Sequence, residues 1–209
     1  MYQPKHFVQA DAALIHAHIA AYPLATLVHG AAGRPTADHV PMLFDAGTGR
    51  AGVLRGHVAR ANPLWREAAG LEVLAVFHGP QGYVSPSWYP SKAATAKVVP
   101  TWNYAVVHVR GVLRALDDRQ WLRSFVERLT RVHESPRAHP WQVTDAPQDY
   151  LEQMLQAIVG IEIDVSAIEA KWKVSQNRSA ADRQGVEAGL SGEADAMARA
   201  LVGLIPVDR

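Results

Sequence analysis

The chain has 209 residues, 48% of them hydrophobic, which is enough to bury one full core, and it has no cysteine. Without thiols, disulfides, thiolate metal sites and cysteine nucleophiles are excluded, and any redox chemistry must come from a bound cofactor. Lys plus Arg number 21 against 20 Asp plus Glu, a formal charge of +1, so no global basic field draws the chain to nucleic acid or anionic membrane.

The first stretch, MYQPKHFVQAD, is polar with an early proline, and no run approaches a bilayer-spanning length. Neither a secretory signal nor a membrane anchor is expected, and a cytoplasmic location is the default. Asp11 is placed to cap a helix whose Leu14, Ile15 and Ile19 share a face and which Pro23 stops. Four short β-rich runs follow: Leu24–Val28, Asp38–Asp45, Gly52–Val58 and Glu72–Gly79, separated by glycine-rich turns such as HGAAGR and DAGTGR. Between the third and fourth, Asn62 can cap a short helix with Pro63 at its first position.

From Pro80 to Pro100 four prolines and the aromatics Tyr83, Trp88 and Tyr89 predict a long structured loop, a feature that is usually functional. Thr101–Leu116 reads as a fifth strand, and DDRQWLRSFVERLTRVHE as an amphipathic helix burying Trp121, Phe125 and Leu129. A helix over Gln148–Ile158 precedes a return to strand periodicity at Ile161, Ile163 and Val165. Two short helices close the chain, the first capped by Ser179 with Asp182 three residues on. The pattern predicts a mostly β, α+β fold: about six antiparallel strands closing into a small barrel with helices at its rim, since most connections are too short for parallel crossovers.

Three segments carry polar residues that a plain strand does not need. In LRGHVARANP, the residues Arg55, His57, Arg60 and Asn62 fall at a strand end and helix start, where guanidinium groups and backbone N–H donors can converge on an anion. The alternative there is a solvated strand end with an ordinary capping Asn. In KVVPTWNY, the residues Lys97, Thr101, Trp102 and Asn103 combine a cation, a hydroxyl, an indole and an amide, a set suited to a heteroaromatic ring or to a core Trp satisfied by a neighbour. In KWKVSQNR, the residues Lys173, Gln176, Asn177 and Arg178 repeat that set, or form a charged exit from a strand. His39, His57, His78 and His108 form no tight ligand pair, so no metal is expected. No glycine-rich phosphate loop and no Gly-x-Ser-x-Gly elbow is present.

Together MYQPKHF, YPLATLV, LRGHVARANPLW, YVSPSWYPSK, KVVPTWNYAVVH and KWKVSQNR resemble the PaiB-type family of FMN-binding negative transcriptional regulators, from Met1 to about Leu190. That family is related to the split-barrel flavoproteins that include pyridoxamine-phosphate oxidase. The resemblance implies an antiparallel FMN-binding split β-barrel and a homodimer with FMN in the groove between subunits. It implies that Arg55, His57, Arg60 and Asn62 lie against the ribityl phosphate or nearby ring edge. Lys97, Thr101, Trp102 and Asn103, with Lys173, Gln176, Asn177 and Arg178, would complete the site. Residues 1–178 are then the FMN-binding domain and residues 179–209 a helical extension packed on it. The expected function is a flavin-dependent sensor or regulator, or a weak flavin oxidoreductase. Two other functions fit the family: a DNA-binding repressor and a flavin-free dimeric interaction module. DNA has little support in the charge pattern, because Arg123, Arg128 and Arg131 alternate with Glu127 and Glu134 on the Trp121 helix.

Overall fold

The structure is a computed structural model that describes residues 1–30 and 33–206. In the turn expected over HGAAGR, Ala31 and Ala32 lie outside the described residues. Among the described residues eight strands are formed: β1 (Val8–Gln9), β2 (Leu24–His29), β3 (Thr36–Pro41), β4 (Leu43–Asp45), β5 (Val53–Ala59), β6 (Glu72–Val84), β7 (Thr101–Leu116) and β8 (Ile158–Lys173). The helices are α1 (Ala12–Ala21), α2 (Leu64–Glu67), α3 (Ser91–Thr95), α4 (Arg119–Glu134), α5 (Gln148–Gln156), α6 (Ala180–Ser191) and α7 (Ala196–Ala200).

The chain divides into two compact units, and the long strands β6, β7 and β8 contribute a part to each. One unit holds Ile19–Val76 and Val109–Ile168. Its strands are hydrogen-bonded in the order β3-β2-β6-β7-β8-β5-β4, and every pairing with a defined register is antiparallel. The sheet curls so that β3 passes over β5: a Cβ on Gly56 would stand 3.1 Å from Val40 Cγ1 and 3.2 Å from the Pro41 carbonyl. The order still has two ends, β3 and β4, so the hydrogen-bonded ladder does not run full circle. Leu27, Met42, Leu54, Leu113, Ile161 and Ile163 fill the interior. Against β5 and β8 lie α4 and α5, with Leu122, Val143, Leu151 and Leu155 in a cluster flanked by Trp121, Val126 and Ile158.

The other unit holds Met1–His18, Phe77–His108 and the chain from Glu169 on. Here β6, β7 and β8 continue side by side, and β1 pairs with β8 through Val8–Lys171 and Gln9–Ala170. Asp11 caps α1 as its position predicts, accepting from Ala13 N at 2.8 Å. The C-terminal helix α6 packs on the loop that follows β6: a Cβ on Gly185 would lie 1.9 Å from the Trp88 carbonyl, and one on Gly189 would lie 2.2 Å from the Trp88 ring. Ser91 N and Oγ donate to Asp182 of the same helix at 3.1 and 2.9 Å.

Three element boundaries differ from the sequence expectation. The run Asp38–Asp45 breaks at Met42, which is fully buried and donates its N–H to Pro23, because β3 pairs with β2 whereas β4 pairs with β5. The fourth strand runs on to Val84. Gly79 and Gly82 are close-packing positions rather than turns, since Cβ atoms there would meet the His18 ring at 2.1 Å and Ala198 at 3.0 Å. Pro80 needs no ladder donor toward β2, whose pairing with β6 ends at Val76. Finally, β8 takes Ile158 from the expected second helix and extends to Lys173.

Candidate functional site

Period-two alternation sorts the start of β7 into two faces. Asn103 is buried and donates to Ser175 Oγ at 2.9 Å, while its neighbour Trp102 is 50% exposed. The Trp102 indole N–H reaches Gln81 Oε1 at 3.3 Å, and its ring meets Tyr83 edge-on with centroids 6.4 Å apart.

On the Trp102 side lies an open groove of about 430 Å³, lined by Tyr2, His78, Gln81, Trp102, Tyr104, His108 and Lys171 among others. That volume suits a small organic ligand. Lys171 is only 7% exposed and forms its hydrogen bond to the Tyr2 carbonyl at 3.1 Å. Its ammonium lies 5.6 Å from the Tyr2 ring centroid and 5.3 Å from that of Tyr104, a cation held between two aromatic rings. The groove therefore offers aromatic faces, an amide and a cation, the set that a flat heteroaromatic ring with polar edges requires.

On the other side, Thr101, Asn103, Lys173, Ser175, Asn177 and Arg178 line a small cavity of about 50 Å³ with Phe7 and Tyr89. Lys173 donates to Thr101 Oγ1 at 2.5 Å and to the Trp102 carbonyl at 2.6 Å. Its pKa is lowered by burial and by the nearby charges of Lys171 and Arg178. Ser175 has a positive φ of 68°, and Gln176 closes the turn by donating to the Trp172 carbonyl and accepting from Val174 N. Lys97 lies on the exposed approach to β7, with only its backbone N–H bonded, to Thr95 Oγ1.

The remaining residues of the expected site fall in the other unit and are engaged there. Arg55 binds Asp45 and donates to Glu162 at 2.6 Å, and Arg128 clamps the same Asp45 from α4. Those contacts, the Arg128 hydrogen bond foremost, hold the Asp45 carboxyl below its ordinary pKa. Arg60 forms a two-pronged pair with Asp117 at 2.6 and 2.7 Å and donates to the carbonyls of Gln156 and Ile158. Asn62 accepts from Leu64 N at 2.8 Å and donates to Asp38 at 2.7 Å, so it caps α2 and ties it to β3. His57 faces the Phe125 ring, burial lowers its pKa, and its Nδ1 has no hydrogen-bond partner. Among the described residues no cluster of metal-ligating side chains is present.

Sequence reasoning passed over Lys171, Tyr104, Gln81 and Tyr89. Tyr104 had a signal in alternation, standing two residues after Trp102, and Lys171 stands at the head of the KWKVSQNR segment already singled out. Gln81 and Tyr89 give no local sign, because the partners that define their roles come from β7 and from Arg178.

This antiparallel architecture is the split-barrel flavoprotein fold. It is similar to the FAD and heme binding protein of Mycobacterium smegmatis, with a TM-score of 0.58 at 15% identity over 79% of this chain and 72% of that one. The flavocytochrome Anf3 of Azotobacter vinelandii gives 0.53 at 15% identity, over 79% and 69%. In sequence, residues 1–167 match the family described as "Putative FMN-binding domain". The protease synthase and sporulation protein PAI 2 of Bacillus subtilis is 33% identical over 98% of this chain and 96% of its own length. A protein of Emericella nidulans, AN0679, is 36% identical over 73% of each chain. The chain belongs to this PaiB-like FMN-binding family, whose cofactor is FMN.

Proposed function

We propose that the chain is a cytoplasmic, homodimeric flavoprotein regulator in which FMN lies with its ring in the Trp102–Tyr104–Lys171 groove and the second subunit covers it. The observation that carries this is the groove itself: Trp102 and Tyr2, which line it, are half to mostly exposed on one chain, where a ligand or a partner would cover them. Lys171 then stands at the polar edge of the ring and Gln81 orients the indole. Bound FMN supplies one- or two-electron redox chemistry; the residues named bind and orient it.

Direct reading of DNA is not needed for a regulatory role, and the arginines of α4 argue against it. Arg123 pairs with Glu127 and Glu152, and Arg128 pairs with Asp45. The flavin is then the sensing element. The name of the Bacillus relative, a protein of protease synthesis and sporulation, fits a regulatory output. No helix among the described residues is long and apolar enough to cross a membrane. The test is a visible spectrum of the freshly purified protein together with its mass in solution. Flavin absorption at one FMN per chain in a dimer is expected. A colourless protein that takes up no added FMN overturns the reading.

A further inference from the structure

The groove accounts for a flavin ring and leaves the small cavity at the entry of β7 unexplained. That cavity, at about 50 Å³, is several times the ~10–15 Å³ that one water needs and far below the several hundred that a ring system needs. Tyr89 lines it, is 2% exposed, and its hydroxyl is buried with no hydrogen-bond partner. A buried hydroxyl without a partner costs free energy, and such a group in a native fold calls for an absent acceptor or donor.

The other lining groups indicate what is absent. Lys173 has used two of its three N–H bonds, on Thr101 and Trp102, so one donor is left. The Arg178 guanidinium stacks 4.7 Å from the Tyr89 ring centroid. Neither cation pairs with a carboxylate among the described residues. Of the charged groups that act on the Tyr89 hydroxyl, Arg178 comes first and Asp182 second, and Asp182 already accepts from Ser91 N and Oγ. Asn177 adds an amide at the rim. Two cations, an amide and a phenol converge on a space the size of one small oxyanion. Desolvation and the neighbouring cations already lower the pKa of Lys173, and an anion would relieve both. By contrast, Arg55 and Arg60 are occupied by carboxylates.

We infer that the cavity formed by Tyr89, Lys173, Arg178 and Asn177 is a binding site for a phosphate group. The phosphate comes from FMN or is free in solution; the first source rests on the flavin reading above, the second does not. The site explains in one step the lone Tyr89 hydroxyl, the unpaired cations and the tight Ser175 turn that brings Arg178 back toward Lys173.

The test titrates inorganic phosphate, FMN and riboflavin into the full chain and into Lys173→Met, Arg178→Met and Tyr89→Phe, with thermal midpoints taken without ligand. If the phosphate is the flavin's, wild type prefers FMN to riboflavin by about tenfold or more, and each cation variant loses about that factor while riboflavin affinity stays constant. If it is free, FMN and riboflavin bind equally, inorganic phosphate binds, and the same variants lose it. Tyr89→Phe removes only an unpartnered hydroxyl, so it folds even where a charge variant does not; it weakens phosphate binding severalfold. The inference is overturned if wild type shows neither FMN preference nor phosphate binding, or if Tyr89→Phe and the folded cation variants retain wild-type values. Should neither flavin bind, the flavin reading falls, and the inorganic phosphate arm still decides this site.

Discussion

Lys173 Nζ donates to the backbone carbonyl of Trp102 at 2.6 Å, tying the end of β8 to the first turn-in of β7. The bond takes the Trp102 backbone and leaves its indole in the groove, half exposed. One lysine thus ties down the Trp102 backbone and the Thr101 hydroxyl at the entry of β7 and also lines the small cavity there.

That relationship sets the first prediction. Because the Trp102 side chain is half solvent-exposed, Trp102→Ala should shift the thermal midpoint by less than about 2 °C, the scale of surface substitutions in a chain this long. Flavin affinity should fall by up to about tenfold, the worth of one aromatic stacking contact. Calorimetry and a flavin titration on the same preparation measure both. Unchanged affinity would remove the indole from the ring site.

The docking of α6 on the loop after β6 gives a second prediction. Ala is a better helix former than Gly by ~1 kcal/mol, yet a methyl on Gly185 would sit 1.9 Å from the Trp88 carbonyl, a backbone atom that cannot swing away. Gly185→Ala should therefore destabilise, by roughly 1–3 kcal/mol. Gly192→Ala, whose methyl meets nothing closer than 3.5 Å, is the control and should be neutral or slightly stabilising. Equal midpoints for the two variants would mean that α6 does not rest on Trp88.

Much of this architecture was legible because its signals are local. Asp118 accepts from Trp121 N and starts α4, and Ser179 accepts from Asp182 N and starts α6, both where a short polar side chain precedes an apolar period. The end of β6 was less legible: Pro80 and Gly82 lie inside the stretch expected as a loop, but Gly82 there makes room for Ala198 within the strand. The site was harder for a related reason. Arg55 and Arg60 look like free cations in the chain, but their carboxylates stand at positions 45, 162 and 117, brought in by strand pairing and by the α4 approach. Conversely, Lys173 and Arg178 have no carboxylate partner among the described residues, and only the folded arrangement reveals that.

A third prediction follows from the groups whose pKa values move on folding. His18 and His57 are pushed below their ordinary value of 6.5 by burial. The unfolded chain therefore takes up these protons first, and their contribution, complete above pH ~6.5, is lost as pH falls toward the folded values. Asp45 is also lowered, chiefly by Arg128 and then Arg55, so its contribution is complete above about pH 4 and is lost as pH falls through its folded pKa. Denaturant midpoints should decline in two stages on acidification. His57→Gln should flatten the first stage in part, and Asp45→Asn should remove much of the second. A His57→Gln profile parallel to wild type between pH 7 and 5 would contradict the buried, neutral imidazole.

The last prediction separates the two groups of cations. Arg60 spends four hydrogen bonds on Asp117 and on the carbonyls of Gln156 and Ile158, which fastens the end of β5 to the segment before α4 and to the end of α5. Both side chains are well exposed, so the ion pair alone is weak. The carbonyls, however, lose a fixed donor when Arg60 goes. Arg60→Ala should lower the thermal midpoint, Asp117→Asn should lower it less, and the double variant should be no worse than Arg60→Ala, because the two residues form one unit. FMN affinity should be the same in all three. Lys97→Ala, on an exposed segment with no partner for its ammonium among the described residues, should leave the midpoint unchanged. If Arg60→Ala instead keeps its midpoint and loses FMN, then Arg60 releases Asp117 to hold the flavin phosphate. The carboxylate pair would then be a resting arrangement that the ligand displaces, and Asp117→Asn, by freeing the guanidinium in advance, should bind FMN more tightly than wild type.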